Sequence, residues 1–225
     1  MSLQDRLDAF KADFEAGKPP YNAPAWIHEP MHRATKELID SGAASRALKV
    51  GDKAPAFTLK DPEGHAVSSA DLLAQGPLIV TFYRGVWCPY CNMELQAIEA
   101  AAAEIRSLGA SIIAISPQVA ANSRKSQREN DLSFPILTDH GGNVANAFGL
   151  RFRLPDELIA IYKSFGNDLA VTNGEPSWTL PMPARYVIGR DGVIAYAEIN
   201  PDYTHRPDPS ELIPILKRLN TSAAA

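Results

Sequence analysis

Cysteine is nearly absent from this chain: 225 residues include two, Cys88 and Cys91. So sparse a set excludes a disulfide framework, and it cannot alone supply the roughly four ligands of a structural zinc site. The five histidines, His28, His32, His65, His140 and His205, are scattered, and no second CxxC and no CxxH joins the pair. No metal and no cofactor are therefore expected. An excess of one charge is also lacking. The formal net charge is −4 and the Lys and Arg are dispersed, which leaves no basic surface for nucleic acid or anionic lipid. No stretch approaches the roughly 18 apolar residues of a membrane span, and the first eight residues contain no apolar leader core. Neither nucleic acid nor membrane is an expected partner, and the expected location is the cytoplasm. Repeats are missing too, and the one biased tract is an Ala-rich tail expected to fray.

What is present is a pair three apart, Cys88-Pro89-Tyr90-Cys91, between the apolar run 77–83 and a helical stretch. Two thiols so spaced on a first helical turn can close an intramolecular disulfide, and the helix N-terminus favours thiolate over thiol. A structural staple at this spacing would restrain almost no chain. In a reducing compartment the pair is expected to cycle rather than stay oxidised.

The hydrophobic pattern divides the chain at about residue 48. Before it, Ser2 with Asp5 resembles a capping box, and Leu3, Leu7, Phe10 and Phe14 recur at helical spacing. A first helix is expected to about Ala16, a break over 17–24, and a second amphipathic helix carrying Ile27, Met31, Ala34, Leu38 and Ile39. Residues 1–47 thus predict an N-terminal helical extension whose apolar stripe packs on the parent domain or on a second subunit, making a homodimer one option. Residues 48–225 predict an α/β domain. A hairpin is expected over 56–67, buried strands over 78–83 and 111–116, and between them a long helix from Pro89 to Leu108: a βαβ crossover. Then come a helix over 119–131, a strand over 134–137, a short helix over 144–149, and an irregular insertion over 150–182 with one amphipathic turn at 158–165. A hairpin over 185–197 and a closing helix over 211–219 finish the domain.

Strand, CxxC, helix and strand, followed by Pro183-Ala-Arg-Tyr-Val-Ile188 opening the late hairpin, resemble the thioredoxin-fold superfamily, a central mixed sheet flanked by helices. The segments 51–59, Ile113-Ala-Ile-Ser-Pro117, Phe134-Pro-Ile-Leu-Thr-Asp139 and 144–149 resemble its alkyl hydroperoxide reductase and thiol-specific antioxidant branch, the peroxiredoxins. The resemblance covers about residues 48–220. It implies a peroxidatic sulfur at Cys91, with Cys88 where that branch carries Thr, Arg84 where it carries Pro, and Glu94 matching. The branch's active-site Arg falls on Pro183, so two customary peroxide-activating groups are missing. Pro183 instead matches the superfamily's cis-proline, which faces the dithiol.

Thioredoxin logic makes Cys88, expected to be the more exposed sulfur, the attacker and Cys91 the resolver, whereas the peroxiredoxin register reverses the order. Arg84 either stabilises a thiolate and polarises a peroxide oxygen or is an ordinary surface arginine. Trp87 resembles the tryptophan that flattens the thioredoxin docking surface, with a half-buried core aromatic as the plainer alternative. Arg185 lies next to Pro183, but strand alternation turns it away from core-facing Ala184 and Tyr186. Glu94 reads more simply as a helix-surface carboxylate than as a proton-transfer group, His140 as a turn residue, and the polar connection 200–206 as a plain surface loop rather than one that overhangs the site. The resemblance implies an oxidoreductase: a thiol-dependent peroxidase reducing hydrogen peroxide or organic hydroperoxides through the Cys88–Cys91 dithiol, restored by a thioredoxin- or glutathione-type reductant. A protein disulfide oxidoreductase and a non-enzymatic redox sensor remain as alternatives.

Overall fold

The computed structural model describes residues 1–223, so part of the Ala-rich tail expected to fray lies outside the described residues. Helix α1 spans Leu3–Glu15 and starts at the expected capping box, Ser2 Oγ accepting from Asp5 N while the Asp5 carboxylate accepts from Ser2 N. Helix α2 spans His28–Asp40. The α/β body runs β1 (Thr58–Lys60), β2 (Ala66–Ser68), α3 (Ser69–Gln75), β3 (Leu78–Phe82), α4 (Pro89–Ser107), β4 (Ser111–Ser116), α5 (Ala120–Glu129), β5 (Ile136–Thr138) and α6 (Asn143–Ala147). Strand β5 starts two residues later than expected because Pro135 has no N–H for the ladder; its carbonyl instead accepts from Ala114 N.

The insertion is more regular than the sequence suggests. It contains β6 (Arg151–Arg153), α7 (Asp156–Ser164), α8 (Leu169–Thr172) and β7 (Thr179–Pro181), with β6 and β7 paired antiparallel in a small separate sheet. Three-residue strands carry too little period-two alternation to stand out in a sequence. The chain then makes β8 (Ala184–Ile188), β9 (Ile194–Ile199) and α9 (Leu212–Ala223).

The main sheet has the order β2-β1-β5-β4-β3-β8-β9, with β3 parallel to β4 and antiparallel to β8. It is the central mixed sheet flanked by helices that the sequence leads one to expect. Both faces are covered. Leu78, Val80 and Phe82 of β3 join Ala184, Tyr186 and Ile188 of β8 in one core, while Ile79, Ile112 and Val187 join α4, α9 and both cysteines in the other. The helical extension packs on its own chain: Leu3 and Leu7 lie in the second of these cores. Ala23 and Ile27 pack with Leu158, Ile161, Tyr162 and Leu169 of the insertion. Hydrogen bonds tie α1 to the connection before α9, Gln4 accepting from Arg206 N at 2.9 Å and donating to Thr204 O at 3.3 Å. Part of the extension's apolar stripe is thus buried within the chain while Ile39 stays exposed, and the insertion forms the other wall of the space above the dithiol. Among the described residues no helix is long and apolar enough to cross a membrane.

Candidate active site

Strand β3 delivers the chain to the dithiol through residues 83–88, a segment held from two sides. Val86 N donates to Gln118 Oε1 at 2.9 Å, Val86 O accepts from Asn92 Nδ2 at 2.8 Å, and Gln118 Nε2 donates to Tyr83 Oη at 2.6 Å. Gly85 sits at φ +150, and a Cβ there would fall 2.5 Å from Trp87 Nε1, so only glycine lets the indole fold back over this turn. Cys88 is then the N-cap of α4, with Pro89 in the first turn, where its missing N–H costs nothing.

Both cysteines are reduced and fully buried, which corrects the expectation that Cys88 is the more exposed. The connection before α9 is the cause. It overhangs the site as no plain surface loop would: the Tyr203 ring packs edge-on against Tyr90, centroids 5.5 Å apart, and covers the Arg84 guanidinium at 3.8 Å. Trp87 lies on Arg84 at 5.0 Å and meets Tyr162 edge-to-face at 5.1 Å.

The two sulfurs stand in opposite electrostatic settings. Arg84 is buried, not a surface residue; its Nη2 donates to Cys88 Sγ at 3.2 Å and its Nη1 to Tyr162 Oη at 3.0 Å. Cys91 N donates to the same sulfur at 3.4 Å. Burial alone would raise the Cys88 thiol, but the hydrogen bond with Cys91 and the Arg84 cation outweigh it and bring it from an ordinary 9.0 to about 5. Burial pushes Cys91 the other way, well above 9.0, and the hydrogen bond and negative charge of Cys88 add to the rise. The two directions make Cys88 the sulfur that favours the thiolate and Cys91 the one that favours the thiol.

Thiolate absorbance of the reduced protein should therefore persist through neutral pH and disappear only near pH 5, and in Arg84→Met the midpoint should move up. Folding stability carries the same signature. A depressed folded pKa contributes fully above pH 9, declines through the interval, and contributes nothing below about 5. A midpoint near that of a free thiol would remove the thiolate assignment.

Below Cys91 lies an ion cluster that the sequence reading largely missed. Glu94, expected on the helix surface, is buried and accepts from Arg185 Nη2 at 2.7 Å and from Arg206 Nε. Arg206 Nη2 reaches to 4.0 Å from Cys91 Sγ. Arg185 does turn away from Ala184 and Tyr186, as alternation requires, but the opposite sheet face is the one packed against α4. Turning away from one core aims it into the other. Pro183 departs from its expectation: among the described residues the one cis peptide is Pro19–Pro20, so the Met182–Pro183 bond is trans. Pro183 lines a pocket of about 230 Å³ shared with Arg84 and Tyr203. His28 and His32 line a larger cleft, and His140 sits in a turn as expected. Arg206, Tyr203 and Tyr162 were not singled out by sequence; the density of charged and aromatic groups in 200–206 was the available signal. Among the described residues no cluster of His, Cys, Asp or Glu is fit to hold a metal ion.

A mixed sheet with a CxxC pair capping the helix that follows an interior strand, and a buried arginine on its first sulfur, defines a thioredoxin-like fold. More narrowly, the chain belongs to the AhpC/TSA family, which residues 50–197 match. Peroxiredoxin Q, chloroplastic, of Triticum aestivum is 29% identical over 185 residues, covering 82% of this chain and 73% of that protein. The Oryza sativa peroxiredoxin Q is 30% identical over 146 residues, covering 65% of this chain, and the match spans 57% of the rice protein's length. The thiol-disulfide oxidoreductase ResA of Halalkalibacterium halodurans is 34% identical over 123 residues, 52% of this chain and 65% of that protein. Among solved structures, peroxidoxin BcpB from Mycobacterium tuberculosis superposes with a TM-score of 0.60 at 22% identity, covering 77% of this chain and 97% of that one. That likeness is one of fold.

Proposed function

We propose that the protein is a thiol-dependent peroxidase that reduces hydroperoxides through the Cys88–Cys91 dithiol, with Cys88 as the attacking sulfur. The observation that carries this is the Arg84–Cys88 contact inside an AhpC/TSA chain: one cation holds the thiolate and stands where the breaking O–O bond develops negative charge. Cys88 thiolate attacks the terminal oxygen of R–O–O–H, the O–O bond breaks, and the alkoxide leaves and takes a proton from solvent, giving Cys88 sulfenic acid and R–OH. The Cys91 thiol then attacks that sulfur, its proton leaves with the hydroxyl as water, and a disulfide forms. Two electrons and two protons from a thioredoxin- or glutathione-type thiol restore the pair. The yeast mitochondrial peroxiredoxin among the fold neighbours is described with those two systems. Cycling free thiols fit a reducing compartment such as the cytoplasm.

Disulfide exchange with a protein partner is the second reading, supported by the ResA similarity and by an attacker at the first CxxC position. Against it, Cys88 is fully buried, with Arg84, Trp87 and Tyr203 packed around it. The test is hydroperoxide consumption coupled to a thioredoxin–thioredoxin reductase system, run beside insulin reduction. Peroxide turnover should dominate, and Arg84→Met should lower it on the order of 10²–10³. Insulin reduction that outruns peroxide turnover would move the assignment to disulfide exchange.

A further inference from the structure

Above the site, the helical extension and the insertion enclose a cleft of about 680 Å³, within the range of small-molecule sites and far larger than hydrogen peroxide requires. One wall comes from the extension, with Phe10, Phe14 and Tyr21; the other comes from the insertion, with Tyr162 and Phe165. The rings meet largely edge to face: Phe10 with Tyr21 at 5.5 Å and Phe14 with Tyr21 at 5.8 Å, while Phe14 and Phe165 face across at 6.4 Å. Tyr21 and Phe165 are 40% and 37% exposed, apolar surface with nothing of this chain over it. Lys11, Lys36 and Lys125 line the cleft together with the carboxylates Glu15 and Asp202, and the Lys36 and Lys125 side chains are exposed. Lys36 and Lys125 have partners in Asp40 and Glu129, but across exposed bridges of little strength.

At the inner end the cleft is lined by Arg84, whose Nη2 touches the Cys88 sulfur. Every extension residue named here precedes residue 50, where the match to the AhpC/TSA family begins. The extension's wall of the cleft thus lies outside the family match, while Arg84, Trp87 and Tyr162 lie within it.

We infer that this cleft binds an organic hydroperoxide built on an aromatic or fused-ring body that also carries a carboxylate. The rings would take the edge-to-face and stacked contacts that the walls offer, which an alkyl chain does not exploit. The carboxylate would lie at the exposed lysines, and the hydroperoxide at Arg84 and Trp87, ahead of Cys88. This selectivity rests on the peroxidase reading; occupancy of the cleft by a ring-bearing acid does not.

Two measurements separate those claims. Calorimetric titration of the reduced protein with the para-carboxylate of cumyl alcohol, the unreactive product analogue, tests the cleft alone. Binding is expected, and it should weaken in Phe14→Ala and in the doubly charge-reversed Lys36→Glu/Lys125→Glu protein, whose exposed positions do not endanger folding. No binding, or binding unchanged by both variants, overturns the inference. Turnover is then compared among hydrogen peroxide, cumene hydroperoxide, its para-carboxylate and a linoleate hydroperoxide. The ring acid should lead in kcat/KM by about tenfold or more, and the ratio of its kcat/KM to that of hydrogen peroxide should fall in both variants, through KM. Equal kcat/KM for hydrogen peroxide and the ring acid, or a lead by the linear acid, overturns the proposed substrate class. Binding of the alcohol without turnover of any hydroperoxide would instead reject the peroxidase and keep the cleft.

Discussion

In the Cys91→Ser protein, brief exposure to hydrogen peroxide should leave a sulfenic acid on Cys88, whereas the Cys88→Ser protein should lose peroxide reactivity by at least about 10². Acidity alone does not decide this. Bringing a thiol from 9.0 to about 5 raises its thiolate fraction at neutral pH about a hundredfold, but a nucleophile loses nearly half a decade in intrinsic reactivity per pKa unit. Over four units the two effects almost cancel. What separates the sulfurs is position: Cys88 touches the arginine that lines the cleft, while Cys91 lies a turn deeper and favours the thiol. Mass spectrometry of the quenched single-cysteine proteins checks it. Sulfenic acid on Cys91 in Cys88→Ser, with Cys88 unmodified in Cys91→Ser, would restore the peroxiredoxin register and assign Arg84 a structural part.

That outcome would also bear on what the sequence can carry. Elements with long, strongly periodic patterns were legible: β4 over 111–116, α4 from Pro89, and the capping box at Ser2 all stand where residue pattern put them. The CxxC spacing and its place after β3 made the dithiol legible as well. The surroundings of the sulfurs were not, because they come from segments distant in sequence with little periodicity of their own. Tyr203 and Arg206 arrive from a connection whose composition resembles a solvated loop, and Tyr162 comes from the insertion. Arg185 points as alternation requires, but its surroundings are illegible for a more instructive reason. Alternation along a strand says which residues share a face, but in a sheet covered on both sides neither face is solvent. Glu94 follows from the same fact, since its buried position on α4 is set by the two arginines it meets rather than by the helix's own pattern.

Those three residues give the second large effect. Glu94→Leu should destabilise the fold by about 3–5 kcal/mol, because it leaves Arg185 and Arg206 buried without their counter-ion. Chemical denaturation with a common slope would read it. The same principle says that a buried ion cluster is weak evidence of stabilisation, since desolvation offsets most of its Coulomb energy. Replacing all three together, Glu94→Leu with Arg185→Met and Arg206→Leu, should therefore recover most of the lost stability. If the cluster served stability alone, the triple variant would then behave like the parent. It should not. Arg206 Nη2 stands 4.0 Å from Cys91 Sγ, and Cys91 must shed its proton to attack the sulfenic acid. In the triple variant the first oxidation of Cys88 should proceed at nearly the parent rate, while disulfide formation slows and over-oxidised Cys88 accumulates during turnover. A triple variant that closes its disulfide as fast as the parent would show that the cluster does not act on Cys91. One that remains as unstable as Glu94→Leu would show instead that the ion cluster itself contributes net stability to the core under the dithiol.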